Sequence, residues 1–234
     1  MPDQEHQTPL LNATLLEGYE SFLSGRFQRE QQKFRELAER GQHPHTLVIG
    51  CCDSRVTPEE IFDAKPGEIF DARNIANLVP PHGSDSYSHG SWAAIDYAVS
   101  ILRVSQIVVL GHARCGGVRA FLDHYAEKAA PAKEDYIGNW ISILAQAAES
   151  IAPPPAVLDE LYADRLARES IKQGLTNLRT FEKVVAAERA GTLALHGAFF
   201  SIEDASLFAL DESKGEFVQI LSSTHRAALA RSRF

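Results

Sequence analysis

The chain has 234 residues, 44% of them hydrophobic and 23% charged, which suits one α/β domain and is too apolar for a disordered chain. Lys and Arg number 23 against 31 Asp and Glu, a net charge of −8, which argues against nucleic acid or an anionic membrane as the main partner. No apolar run approaches the ~18–20 residues of a membrane span, and the polar, acidic start does not read as a signal peptide. The three cysteines, Cys51, Cys52 and Cys115, build no disulfide framework and suit a reducing compartment, so the expected location is the cytoplasm.

Residues 1–9 read as a tail. From Leu10 to Gly25, and again from Arg26 to Arg40, apolar residues recur at helical spacing, with Gly41 as the stop. These two helices carry more charge and less core than the rest of the chain, as an arm lying on a second subunit would. Thr46–Gly50, Glu68–Asp71 and Gln106–Leu110 read as strands, the first and third continuously apolar as in a buried parallel sheet. Ser88–Leu102 and Gly116–Tyr125 read as helices, as do Ile137–Ser150 and Leu158–Arg189, the last with a break near Gly174. Thr192–Ile202, Leu207–Leu210 and Phe217–Ile220 are further strands. Strands alternating with helices predict a mainly parallel sheet flanked by helices on both faces. With no repeat or linker, residues 1–234 are expected to form a single domain, 1–40 being a helical arm and 42–234 the α/β core.

The chemistry-bearing residues come after the two most apolar strands. Cys51-Cys-Asp-Ser-Arg55 succeeds one, and Gly111-His-Ala-Arg-Cys-Gly-Gly117 the other. Ligands of open parallel sheets bind outside the carboxyl ends of the strands, where these two loops can converge. Cys51, His112 and Cys115 are a donor set suited to zinc, with a fourth position for water or for Asp53. Arg55 can clamp Asp53 through a bidentate fork. A lone cysteine after a strand is often only a small core residue, but matched motifs at two strand ends outweigh that explanation. Cys52 is expected to be a spare thiol pointing into the core, and His196 a core histidine. His43, His45, His82 and His89 offer a proton relay as one reading, but solvated loop residues are the expectation.

Cys-x-Asp-x-Arg together with a later His-x-x-Cys-Gly-Gly resembles the β-class carbonic anhydrases. Pro66-Gly-Glu68, Arg73-Asn-Ile-Ala-Asn77 and Ala94-Ile-Asp-Tyr-Ala98 strengthen the likeness. The resemblance implies a zinc lyase with one Zn²⁺ per subunit, hydrating carbon dioxide reversibly to bicarbonate and a proton by attack of zinc-bound hydroxide. It implies Cys51, His112 and Cys115 as metal ligands, and Asp53 and Arg55 as the catalytic dyad. Gln42, Phe70, Ile75, Tyr97 and Gly116 are the implied substrate-binding residues. It also implies four parallel strands extended by an antiparallel one, assigned to Thr192–Ile202. A homodimer is implied, with a tetramer or higher assembly open.

The branch of this family with an inhibitory bicarbonate site carries Trp three residues before the first ligand. Val48 stands there, so the plant-like branch with an open zinc site is implied. Ile101 occupies the place of a proposed shuttle histidine, and Cys52 that of a common Ser or Ala. Two alternatives remain: hydrolysis of carbonyl sulfide or carbon disulfide on the same scaffold, and a zinc protein without turnover.

Overall fold

The computed structural model describes residues 10–83, 89–127, 132, 134–151 and 159–221. The expected tail at 1–9 and the proline-rich punctuation at 152–156 lie outside the described residues. The chain divides into two units, residues 1–42 and 43–234.

The first unit is a helical hairpin of α1 (Ala13–Ser24) and α2 (Arg26–Arg40). Asn12 starts α1 by accepting from Leu15 N at 2.9 Å, satisfying one of the orphan donors of the first turn. Gly41, at φ 78°, ends α2, its N–H bonded to the Leu37 carbonyl. Phe22, Phe27 and Phe34 meet with ring centroids 5.5–5.9 Å apart. Neither helix buries a residue fully.

The second unit is built on a six-stranded sheet. Its strands are β1 (Thr46–Cys51), β2 (Ile69–Asn74), β3 (Gln106–His112), β4 (Ala194–Phe200), β5 (Leu207–Asp211) and β6 (Glu216–Gln219), in the order β2-β1-β3-β4-β5-β6. The first four run parallel. Thr192–Ile202 therefore contains the fourth parallel strand, and the antiparallel neighbour is β5. The chain returns to β4 through helices, a crossover that delivers a parallel strand, whereas the short turn after Phe200 can only reverse direction.

Between the strands lie α3 (Pro58–Ile61), a 3₁₀ turn (Ile75–Asn77), α4 (His89–Asp96) running into a π-helical segment (Tyr97–Leu102), and α5 (Gly116–Glu127). Then come α6 (Tyr136–Ile141), α7 (Ala145–Glu149), α8 (Glu160–Leu178) and α9 (Glu182–Arg189). The π-helical stretch of the expected Ser88–Leu102 helix ends on Arg103 at φ 54°. Helix α8 passes Gly174 without interruption and stops instead at Arg179–Phe181. Gly174 is small for packing: a Cβ there would stand 3.4 Å from Val109 and 3.5 Å from Val79.

One face of the sheet carries the main core, where Leu47, Ile49, Ile107, Val109, Leu195 and Phe199 meet Leu166, Ile171 and Leu175 of α8. The opposite face has a smaller cluster around Val48, Leu110 and Ala198, joined by Ile61 and Phe62 from the α3 region. His196 projects from β4 to an exposed position rather than into the core, since it alternates with the buried Leu195 and Gly197.

Candidate metal centre

Parallel pairing puts the carboxyl ends of β1 and β3 side by side, through register pairs such as Ile49↔Val109. Cys51 is the last residue of β1 and His112 the last of β3. Cys115 lies three residues beyond His112, immediately before α5. All three are buried, and their donor atoms lie within 4.8 Å of one another. The two sulfurs are 3.9 Å apart. A tetrahedral zinc with Zn–S bonds of ~2.3 Å separates two thiolates by about 3.8 Å, so the spacing suits that ion.

The donors are also prepared chemically. His112 Nδ1 lies 2.8 Å from the Ala113 carbonyl, which assigns the ring proton to that nitrogen. Nε2 is left buried with no hydrogen-bond partner among the described residues, a bare lone pair such as a metal requires. The contact with the Cys115 sulfur, and after it the facing His112 ring and the backbone N–H groups of Asp53 and Ala76, hold Cys51 well below the ordinary thiol range against the opposing effect of burial. The same contact, and after it burial, pushes Cys115 up. The two sulfurs thus share one proton, which a divalent cation would displace. Backbone N–H groups of Gly117 and Val118, in the first turn of α5, face the Cys115 sulfur.

Asp53 stands outside the three-donor group. Arg55 Nε donates to its Oδ1 at 2.9 Å and Nη2 to its Oδ2 at 2.7 Å, while the Arg55 backbone N–H adds 3.0 Å to Oδ1. This fork is the main reason the Asp53 carboxyl is held well below the usual carboxylate range. Arg55 Nη2 also reaches the Arg114 carbonyl at 3.3 Å.

Of the other residues singled out from sequence, Phe70 and Tyr97 face each other with ring centroids 5.8 Å apart. Ile75 and Tyr97 remain 43% and 45% exposed. Gly116 opens α5 with free space around its Cα. Gln42 is exposed and belongs to the first unit. Cys52 is exposed rather than turned into the core, because β1 aims Cys51 inward and the next residue faces the other way.

Several supporting residues had no role assigned from sequence. Arg73, there only part of a motif, donates from Nε to the Cys51 carbonyl and from Nη2 to the Asp53 carbonyl, both at 2.7 Å. The turn that brings the Ala76 N–H to Cys51 has consecutive left-handed residues, Ala76 at φ 62° and Asn77 at φ 48°. Asn74 braces it, accepting from Leu78 N at 2.7 Å and donating to the Leu78 carbonyl at 2.9 Å. Trp140 Nε1 donates to the Ile75 carbonyl at 2.8 Å. The positive φ values leave little trace in sequence, since neither Ala76 nor Arg114 is a glycine.

Two thiols and an imidazole at the strand ends of a mainly parallel sheet define an α/β protein with a candidate metal centre. The family model described as carbonic anhydrase matches residues 46–207. A carbonic anhydrase of Pseudomonas aeruginosa is 34% identical over 206 residues, covering 88% of this chain and 90% of that protein. The solved β-carbonic anhydrase CcaA superposes with a TM-score of 0.78 at 30% identity, over 88% of this chain and 98% of that one. One of the tetrameric β-carbonic anhydrases of Sordaria macrospora gives a TM-score of 0.70 at 27% identity, over 85% and 95%. The chain belongs to the β-carbonic anhydrase family.

Proposed function

We propose that this chain catalyses the reversible hydration of carbon dioxide to bicarbonate and a proton, with one zinc ion per subunit held by Cys51, His112 and Cys115. The observation that carries it is the dyad beside the metal group: Asp53 clamped by Arg55 outside the donor set. A purely structural metal site needs no oriented carboxylate next to it. Zinc held there supplies the Lewis acidity that makes water a nucleophile near neutral pH.

The protein's part is orientation. With its pKa pressed far down, Asp53 stays ionised across the neutral range and cannot store a proton there. It therefore acts as a fixed hydrogen-bond acceptor that aligns the attacking oxygen, a positioning effect. Arg55 occupies both carboxylate oxygens and so fixes the direction of the remaining lone pairs.

Phe70, Ile75 and Tyr97 supply an apolar wall for a small uncharged substrate, which the exposure of Ile75 and Tyr97 in the single chain supports. The family likeness adds Gln42 as a hydrogen-bond donor for substrate oxygen and Gly116 as a backbone group for substrate. The exposed apolar side chains Leu11, Leu15 and Tyr19 at the helical hairpin support its role as an arm on a second subunit. A homodimer or tetramer is the resulting assembly, the latter the state described for the Sordaria relatives. Val48, in place of a Trp, supports the branch with an open metal site. Among the described residues no helix is long and apolar enough to cross a membrane, and the cysteine usage favours the cytoplasm.

Stopped-flow hydration of carbon dioxide, monitored by a pH indicator on protein of known zinc content, tests the reading. Fast hydration lost on chelation and lost in Asp53→Ala with zinc retained is the expected result. Zinc-loaded protein that does not hydrate carbon dioxide refutes it. Carbonyl sulfide is then the next substrate, and inertness toward both leaves zinc as structural.

A further inference from the structure

We infer that Asp164, fifty residues away in sequence on α8, is a positioning residue that sets the conformation of the loop between the two metal ligands His112 and Cys115. The inference rests on the proposed zinc site. His112 is fixed as part of β3, paired with Phe200 of β4, and the Ala113 N–H extends that ladder to the Phe200 carbonyl at 2.9 Å. Cys115 leads directly into α5. The adjustable link between them is Arg114, which sits at φ 54°. A residue with a Cβ does not rest there unaided.

Two hydrogen bonds hold its backbone, one at its N–H and one at its carbonyl. The Arg114 N–H donates to Asp164 Oδ1 at 2.9 Å, and the Arg114 carbonyl accepts from Arg55 Nη2 at 3.3 Å. The Arg114 guanidinium meets Glu203 at 3.4 Å with both groups exposed, too weak a tie to set a backbone. Asp164 is itself steady, since Tyr162, Ala163, Leu166 and Ala167 around it on α8 are buried in the core. Its bond to the Arg114 N–H is charge-assisted.

The consequence reaches both halves of the site. The Arg114 peptide determines where Cys115 Sγ stands relative to His112. Through its carbonyl it also meets the Arg55 nitrogen that donates to Asp53 Oδ2 at 2.7 Å. Helix α8 thereby sets the metal loop and the dyad through one carboxylate. Without that acceptor, Arg114 falls toward the right-handed region, shifting Cys115 and withdrawing a partner from Arg55.

The test uses full-length, zinc-loaded protein and measures zinc release to a chromophoric chelator, alongside the ligand-field spectrum of the cobalt(II) form. Asp164→Ala is expected to weaken zinc binding about 10–100-fold, the usual loss of affinity on removing a residue that orients metal ligands, and to release zinc correspondingly faster. Asp164→Asn keeps an Oδ1 acceptor and is expected to restore slow release and a wild-type cobalt spectrum. Asp164→Ala combined with Arg114→Gly recovers most of the retention, because glycine takes positive φ without steric cost. A merely structural role for Asp164 would not be rescued by a change at position 114.

Arg114→Val probes the same point without touching α8, should Asp164→Ala not fold. Faster release supports the inference, and wild-type release overturns it. Wild-type release from a folded Asp164→Ala, or no rescue by Arg114→Gly, overturns it too. In those cases wild-type protein that still hydrates carbon dioxide leaves the proposed function intact. Wild-type protein that binds no zinc overturns both.

Discussion

Replacing Asp71 by asparagine is expected to stabilise the protein at neutral pH and much less at acid pH. Asp71 lies on β2 opposite Val48, with Oδ1 fully buried and without a hydrogen-bond partner among the described residues. Burial, and after it the like charge of Glu59, pushes its carboxyl up to about 6 from 3.8, with Arg73 opposing. Because the folded-state value lies above the unfolded one, the folded protein holds the proton more tightly. Its contribution to stability therefore falls as pH rises from about 4 to about 6 and is level above that. At 1.36 kcal/mol per pKa unit the full cost is about 3 kcal/mol, and the half-buried setting of the side chain reduces this to roughly 1.5 kcal/mol. Asp71→Asn keeps the shape and removes the charge. Urea unfolding at equal protein concentration is expected to show a gain of roughly 1.5 kcal/mol at pH 7.5 and about 0.5 kcal/mol at pH 4.5. Equal gains at both pH values would mean that packing and not charge is responsible. A loss at pH 7.5 would refute the argument outright.

Gly117→Ala places a Cβ 2.7 Å from Ile75 Cγ2 and 3.0 Å from Ala76 Cβ. The resulting overpacking is expected to cost about 1–3 kcal/mol in denaturant unfolding, and an unchanged midpoint would contradict the close approach. Trp140→Phe removes the donor to the Ile75 carbonyl and is expected to cost about 1 kcal/mol while leaving the zinc content at one per chain. Zinc loss in that variant would tie Trp140 to the metal more closely than its contact allows. In zinc-free protein the ultraviolet thiolate absorbance of one cysteine is expected to persist well below the ordinary range, since the Cys115 thiol stabilises the Cys51 thiolate. A signal that appears only near pH 8.5, as for unperturbed thiols, would rule out the shared proton.

The parallel core was legible because β1 and β3 are covered on both faces and so read as unbroken apolar runs, from Leu47 to Ile49 and from Ile107 to Leu110. Their ends carry the cysteines and the histidine, so the meeting of Cys51, His112 and Cys115 could be anticipated from the pairing of two strands. The direction of β4 could not: an apolar run has the same composition whichever way it pairs, and only the crossover through α8 and α9 decides it. Gly174 looked like a break because glycine weakens a helix locally, yet the demand came from Val79 and Val109 pressing against it. The orientation of Cys52 depended on which of two neighbouring cysteines faces inward. Alternation shows that they oppose and leaves open which is inside. The Asp164–Arg114 contact has no local signal at all.

What separates the two proposed cysteine ligands is how their backbones are held. Cys51 closes β1 in register with Asn74, and Arg73 grips its carbonyl. Its position is thus part of the sheet, the most rigid element of the unit. Cys115 lies beyond the ladder, past a left-handed residue, with the first turn of α5 on its other side. A site in which one thiolate is set by the sheet and the other by a braced loop concentrates its tolerance at the loop. Substitutions that loosen metal binding without unfolding the core should therefore cluster around Arg114 and Asp164. Changes at Leu47, Ile49, Ile107 or Val109 should instead lower stability first and lose metal only as the core gives way.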